Sequence, residues 1–208
     1  MTDTGGKGHW EGVYSSKGER EVSWFQESPE PSIELIGLVG AKPDAAIIDI
    51  GGGASRLVDA LLARGFENLA VLDLSEAALD MARSRLGSDA QNVRWIAADV
   101  ASWNPDAKYE VWHDRAAFHF LTECDAQQAY VDRLKEALRP GGQAIFGTFA
   151  LDGPEKCSGL PVARQSSETM LALLGPEFHL IDARRHEHAT PWQSVQKFQF
   201  STFRRIMP

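Results

Sequence analysis

Short apolar runs alternate with amphipathic segments through the middle of the chain, and this alternation limits the fold more than any other feature. Segments between the runs have the spacing of amphipathic helices. Runs rich in apolar residues are typical of parallel strands buried on both faces. The alternation predicts an α/β fold, a doubly wound (Rossmann-like), mostly parallel sheet with helices on both faces. The predicted strands cover residues 45–50, 68–74, 93–100, 109–114 and 143–150, and the helices between them residues 55–65, 75–87 and 125–142.

The C-terminal part adds two kinds of element to this alternation. Residues 167–175 have the pattern of another helix. Residues 179–189 and 197–205 alternate in polarity, which predicts a C-terminal antiparallel strand pair at one edge of the sheet. No linker or internal repeat divides the chain, so we predict a single domain over residues 1–208.

The N-terminal part is expected to cover the sheet. Residues 1–9 are rich in glycine and threonine and are predicted to be disordered. Residues 10–40 are predicted to form an aromatic lid followed by a helix, with Ser28 or Ser32 near the helix start and Gly40 beyond its end. The lid is inferred from four aromatic residues, Trp10, Tyr14, Trp24 and Phe25.

Composition limits the partners and the compartment. The net charge of −8 argues against non-specific binding to nucleic acid or to anionic membranes, since both favour a basic face. No apolar run approaches the length of a membrane span, and the start of the chain lacks a signal-peptide core. Cys124 and Cys157 lie in unlike contexts and are interpreted as free thiols. We therefore expect a cytoplasmic protein, a monomer or weak dimer, without nucleic-acid or membrane partners.

A glycine loop follows the first predicted strand in the stretch "DIGGGAS". Asp49 precedes Gly51 and Gly53, and a helix follows, so a ligand could approach the backbone closely there. A dinucleotide fingerprint would need a third glycine where this chain has Arg56. An acidic residue before the loop suits a sulfonium cofactor with an amino-acid tail, so the loop favours a sulfonium cofactor and leaves a dinucleotide as the alternative.

The next two strands also end on acidic residues. Asp73 in "VLDLS" could accept hydrogen bonds from ribose hydroxyls, which would suit either cofactor. Asp99 in "AADV" could accept from an adenine amino group while Val100 packs on the ring. The ordered set of a glycine loop and acids at successive strand ends is more specific than any single member.

These motifs, together with "LRPGGQAIFGTF", resemble the successive motifs of class I S-adenosylmethionine-dependent methyltransferases over residues 45–150. The resemblance implies S-adenosyl-L-methionine as cofactor and a methyltransferase activity. It places Asp49, Gly51 and Gly53 at the methionine part, Asp73 with the neighbouring Leu74 at the ribose, and Asp99 with Val100 at the adenine.

The N-terminal motifs "HWEGVY" and "VSWF" resemble the opening of eukaryotic elongation-factor lysine methyltransferases and their methyltransferase-like relatives. In that group the equivalents of Trp10 and Tyr14 lie at the cofactor. The segment that starts at Asp114 and Arg115 keeps that group's acid and base, and an Asp-Arg-Ala-like segment also occurs in thiopurine-type methyltransferases. His119 departs from the lysine-methyltransferase pattern. The resemblance therefore leaves two acceptors open, a protein lysine and a small molecule.

Methyl transfer depends mainly on alignment of the acceptor with the methyl group, and a general base is needed only for a protonated acceptor. His113 is the candidate base and Asp114 a candidate carboxylate for a lysine acceptor, whereas Arg115 is expected to organise the cofactor. His119 is interpreted as a satisfied core histidine and Cys157 as a buried loop cysteine.

Two other functions are alternatives to methyl transfer at an N, S or O nucleophile: a non-catalytic S-adenosylmethionine-binding module and an NAD-dependent oxidoreductase. No metal site is predicted, because His186 and His188 have no evident third ligand.

Overall fold

The computed structural model describes residues 6–206 and contains one large sheet and one short hairpin. The strands are β1 Ile47–Ile50, β2 Leu69–Asp73, β3 Val93–Ala97, β4 Tyr109–Arg115, β5 Leu138–Phe149, β6 Lys156–Cys157, β7 Leu160–Pro161, β8 Phe178–Ala189 and β9 Val195–Arg205. The large sheet has the order β3-β2-β1-β4-β5-β9-β8, in which β9 is antiparallel to both neighbours. The predicted doubly wound sheet with a C-terminal antiparallel pair is confirmed.

Helices cover both faces of the sheet. They are α1 Lys7–Ser16, α2 Ser32–Leu38, α3 Leu57–Ala63, α4 Glu76–Leu86, α5 Cys124–Ala137 and α6 Ser167–Leu174, with short 3-10 helices at Glu19–Glu21, Gly87–Asn92 and Phe118–Phe120. Apolar side chains of α5 and α6 enter one core cluster, and those of α2, α3 and α4 enter the other. Within residues 6–206, no helix is both long and apolar enough to cross a membrane.

Local signals explain where some helices begin and end. Ser75 caps α4 by accepting a hydrogen bond from Ala78 N at 3.2 Å, and Gly87 follows the helix with a φ of +57°. Ser32 begins α2, but its hydroxyl does not cap the helix; the preceding residue, Pro31, occupies the cap position. The Ser32 hydroxyl instead binds a side chain of β4.

The N-terminal segment differs from the predicted disordered tail at residues 7–9. Residues 1–5 lie outside the described residues, but Lys7, Gly8 and His9 form the first turn of α1. This turn is held by His9, whose Nε2 lies 3.1 Å from Ser158 Oγ in the β6–β7 hairpin. We call residues 7–31 the N-terminal cover, because they pack over the carboxyl ends of the central strands.

Candidate active site

The sheet order places the ends of β1, β2 and β4 side by side. β1 lies between β2 and β4. β2 and β3 extend the sheet on one side of β1, and β4 and the later strands extend it on the other side, so the strand order reverses between β1 and β4. Ligands of open α/β sheets bind at such a switch point, beyond the carboxyl ends of the strands. Asp49 of β1 pairs in register with His113 of β4, and Asp73 ends β2 beside them.

The glycine loop packs closely against both neighbouring strand ends. Gly51 has a φ of +65°, and a Cβ there would lie 2.6 Å from the Cβ of Ala117. Gly53 has a φ of +24°, and a Cβ there would lie 2.5 Å from Asp73 Oδ2. Such contacts admit only glycine, so the loop presents bare backbone at the strand ends. This cradle fits the close backbone approach of a cofactor that carries an amino-acid tail.

Asp73 is a buried carboxyl at the centre of this region. Its Oδ1 accepts a hydrogen bond from Ser75 N at 2.8 Å. Burial raises the pKa of Asp73 to about 7; the Ser75 N–H opposes this rise, and the nearby Asp49 adds to it. Tyr14 of the N-terminal cover lies near this carboxyl. Burial raises the pKa of the Tyr14 phenol, and the nearby Asp73 raises it further.

The predicted adenine side is more open. Asp99 is exposed in the turn after β3, where its Oδ1 accepts from Ala101 N at 3.0 Å. Val100 is half-buried against the core, and Leu74 is half-buried after β2. The three residues therefore lie at the ends of neighbouring strands, as the sequence analysis expected.

His113 lies in a buried column of side chains below the site. Its Nδ1 is 2.6 Å from Asp49 Oδ1, and its Nε2 is 2.8 Å from Ser32 Oγ. All three side chains are buried. Because both ring nitrogens are engaged, the geometry favours a role for His113 in positioning Asp49 over the predicted role of a base.

Asp114 points to the opposite face of the sheet and is fully buried. Its Oδ2 accepts from Tyr130 OH at 2.6 Å, and its Oδ1 accepts from Ala117 N at 3.0 Å. Burial raises the pKa of Asp114 to about 6, against the opposing effect of Tyr130 and two backbone N–H groups. These bonds fix the turn after β4, where Ala116 has the strained φ of +67°.

Arg115 reaches into the site from the end of β4. Its Nη2 donates to Trp24 O at 2.9 Å, and it lines a cavity of about 20 Å³ with Trp24, Phe25 and the residues after the glycine loop. Burial lowers the pKa of Arg115, and Asp49 and Tyr14 oppose that effect. Among residues 6–206, no carboxylate forms an ion pair with Arg115 within 4.0 Å.

The N-terminal cover closes over these groups with an aromatic cluster. The ring centroid of Trp10 lies 5.6 Å from that of Trp24 and 4.9 Å from that of Phe120. Trp24 Nε1 donates to Tyr14 OH at 3.0 Å. The two aromatic residues predicted near the cofactor, Trp10 and Tyr14, thus lie together above the strand ends.

Two polar contacts tie the cover to the helices after the glycine loop and β2. Glu11 accepts from Glu76 N at 2.7 Å and from Ala77 N at 3.2 Å, so a side chain of α1 caps α4. Arg56 donates to Glu19 and to Glu27 at 2.5 and 2.6 Å. Glu11 could not be predicted as a cap from the sequence, because no local pattern links a carboxylate to a helix start so far along the chain.

Two residues outside the cofactor region need separate mention. His119 is fully buried, and Phe149 N donates to its Nδ1 at 3.4 Å, but within the described residues its Nε2 has no hydrogen-bond partner. The prediction of a satisfied core histidine was therefore wrong for one nitrogen; burial lowers the pKa of this ring to about 3. Cys157 is buried, and burial raises its pKa to about 11, as suits an unreactive loop cysteine.

Within residues 6–206, no group of three or more His, Cys, Asp or Glu side chains is arranged to hold a metal ion. The geometry defines a Rossmann-like site with a glycine cradle, a buried carboxyl at the end of β2 and an aromatic cover.

Comparisons with known proteins agree with this class. The family model described as "Methyltransferase domain" matches residues 47–142. Malonyl-[acyl-carrier protein] O-methyltransferase 1 from Ilyobacter polytropus is 32% identical over 112 residues, which are 53% of this chain and 40% of that protein. EEF1A lysine methyltransferase 2 from Danio rerio is 28% identical over 157 residues, which are 68% of this chain and 67% of that protein.

Among solved structures, the N-methyltransferase NodS from Bradyrhizobium japonicum in complex with S-adenosyl-L-homocysteine superposes with a TM-score of 0.67 at 17% identity, covering 86% of this chain and 89% of that one. The chain spans less than half the length of the malonyl relative. The match over residues 47–142 and the shared fold support a class I S-adenosylmethionine-dependent methyltransferase. The solved structures of NodS and of the glycopeptide N-methyltransferase MtfA contain S-adenosyl-L-homocysteine, which supports S-adenosyl-L-methionine as the cofactor.

Proposed function

We propose that this chain transfers the methyl group of S-adenosylmethionine to an N, S or O nucleophile of a small molecule. The observation that carries the choice of acceptor is the charge around Arg115. Burial lowers the pKa of the His186 and His188 imidazoles, and the nearby charge of Arg115 lowers both further. The carboxyls of Asp49 and Asp114 are already engaged in buried hydrogen bonds. A lysine ammonium would meet the guanidinium of Arg115 here, while the carboxyls of Asp49 and Asp114 are already occupied.

The bound cofactor supplies an activated methyl group, so the protein has to bind, orient and exclude water. In this proposal the backbone at Gly51 and Gly53 holds the methionine part, with Asp49 beneath it and Arg115 at its carboxylate. The other side chains assigned to the cofactor are Asp73 and Leu74 at the ribose, Asp99 and Val100 at the adenine, and Trp10 and Tyr14 above the site.

His113 and Asp114 are positioning residues in this proposal and take no proton from the acceptor. His113 holds Asp49 under the glycine loop, and Asp114 holds the turn that carries Arg115. A neutral amine, a thiolate or a phenolate would then react through alignment alone.

A protein lysine is the second candidate acceptor. It is favoured by the similarity to EEF1A lysine methyltransferase 2, which extends over 67% of that protein. It would require the N-terminal cover to open far enough to admit a side chain from a folded partner, and it would bring a cation beside Arg115.

We propose a cytoplasmic enzyme that acts as a monomer or weak dimer without nucleic-acid or membrane partners. The net charge of −8 supports this, as do two cysteines that are unpaired in the structure.

The test is to incubate the protein with radiolabelled S-adenosylmethionine and a cell lysate separated into protein and small-molecule fractions. We expect label to enter the small-molecule fraction. Label that enters protein instead would favour the lysine acceptor. No label in either fraction, with retained binding of S-adenosylhomocysteine, would favour the non-catalytic binding module; binding of NAD without S-adenosylhomocysteine would favour the oxidoreductase.

A further inference from the structure

A second cavity lies on the outer side of the N-terminal cover, away from the glycine loop. Its volume is about 520 Å³, within the range of about 300–1,000 Å³ that is usual for small-molecule sites. One wall is the segment Phe25–Ser28 of the cover, and the other is formed by His188 and the residues after it at the end of β8. None of the roles assigned above to the cofactor residues uses this cavity.

Gln26 forms the wall that the two cavities share, since it lines both the larger cavity and the small one beside Arg115. Its Nε2 donates to Glu30 O at 2.9 Å, which fixes the orientation of the amide. Its Oε1 is buried and, within residues 6–206, has no hydrogen-bond partner. A buried acceptor left unpaired is unfavourable, so a ligand that donates to it would remove that penalty.

His188 supplies a second acceptor. The imidazole is buried on β8, and its Nε2 lies 2.7 Å from Ser23 O. A carbonyl oxygen can only accept, so the proton is on Nε2 and Nδ1 is left as an unprotonated acceptor. Burial lowers the pKa of His188, the hydrogen bond to Ser23 O opposes this effect, and the charges of Arg115 and His186 add to it.

Two hydrogen bonds to the backbone of the N-terminal cover hold the wall between the cavities in place. Ser23 O accepts from His188, and the next carbonyl, Trp24 O, accepts from Arg115. The following ring, Phe25, has the guanidinium groups of Arg20 and Arg56 each 5.4 Å from its centroid. Phe25, Gln26 and His188 therefore line the same cavity, and the latter two side chains each carry an acceptor atom beside their fixed hydrogen bond.

We propose that this cavity binds the non-reacting part of the methyl acceptor, and that the acceptor is a neutral, planar molecule that donates N–H or O–H groups to Gln26 Oε1 and His188 Nδ1. The reacting atom then passes Gln26 towards the cofactor end beside Arg115. The charged residues of the lining, Arg20 and Glu27, already pair with each other at 2.8 Å. A carboxylate would also meet two acceptor atoms, and an ammonium would approach Arg115. This inference rests on the proposed small-molecule methyl transfer.

The test uses the labelled cofactor with a protein-free metabolite extract, at several dilutions of the extract. Gln26→Leu removes the acceptor Oε1, and His188→Gln removes the ring nitrogen Nδ1 while its amide N–H can still donate to Ser23 O. We expect the apparent KM for the extract to rise at least tenfold in each, with the KM for S-adenosylmethionine within twofold of wild type. His179→Gln is the matched control, because His179 is exposed at the other end of β8.

Two results would overturn the inference while leaving the proposed function intact. One is an unchanged KM for the extract in both variants, or an equal rise in the KM for the cofactor. The other is a labelled product that an anion exchanger retains at pH 7 or that lacks the ultraviolet absorbance of a planar ring. Wild-type protein that labels no small molecule would instead refute the proposed function, and the inference with it.

Discussion

At the scale of single residues, the alternation of side chains along β4 separates the roles of three consecutive ionisable residues. His113 and Arg115 share one face of the sheet, and Asp114 faces the other, as successive residues of a strand must. His113 therefore meets Asp49 and the α2 face, whereas Asp114 meets Tyr130 of α5. Side chains that are adjacent in sequence thus serve two different cores.

The buried column of Asp49, His113 and Ser32 should contribute measurably to stability. His113→Ala leaves the Asp49 carboxyl and the Ser32 hydroxyl without their partner, at a cost of about 1–3 kcal/mol for each buried group. Ser32→Ala removes one hydrogen bond at the edge of the column and should cost about 0.5–1.5 kcal/mol. Urea unfolding measures both. A His113→Ala protein as stable as the Ser32→Ala protein would contradict this account of the column.

Asp73 makes cofactor binding depend on pH. Its pKa is about 7 because it is buried, and hydrogen bonds from ribose hydroxyls would favour the ionised form. Binding then releases a proton below pH 7, so affinity for S-adenosylhomocysteine should rise from pH 5 to pH 7, by up to about tenfold per pH unit, and level off above it. Calorimetric titrations in buffers of different ionisation enthalpy measure this release. Asp73→Asn, the control, should flatten the dependence; a pH-independent wild type would refute it.

At the scale of elements, the N-terminal cover depends on contacts that join distant parts of the chain. Glu11 of α1 caps α4, and α4 begins just after Asp73. The contact that holds the N-terminal cover therefore lies at the helix start beside Asp73. Negative charge at a helix N-terminus is favourable, and its removal leaves backbone N–H groups without partners.

Glu11→Ala should therefore loosen the cover. We expect a loss of about 0.5–2 kcal/mol from the missing cap and faster amide hydrogen exchange in α1, because α1 loses its bond to α4. S-adenosylhomocysteine should also dissociate faster. Glu67→Ala is the control, since Glu67 is exposed in a loop. Unchanged exchange in α1 would show that Glu11 does not hold the cover.

At the scale of the whole molecule, the sheet was predictable from sequence because buried parallel strands carry apolar runs that helices must flank. The glycine loop and the acids at successive strand ends were predictable for the same reason, since parallel strands end at one edge. The partners of His113 and Asp114 were not, because Ser32 and Tyr130 lie on helices whose packing depends on the completed core. The ordered start of α1 was missed because its anchors, Ser158 and the first residues of α4, are remote in sequence.

The most direct test of the site is calorimetric titration of S-adenosylhomocysteine into wild-type protein, Asp73→Ala and Asp114→Asn. Asp73 is the residue proposed to bind the cofactor's ribose, whereas Asp114 is held by Tyr130 and the backbone of its own turn. We predict micromolar or tighter binding to wild type, a loss of at least about tenfold, or 1.4 kcal/mol, in Asp73→Ala, and a change within threefold in Asp114→Asn. No binding to wild type, or a larger loss in Asp114→Asn than in Asp73→Ala, would contradict the account.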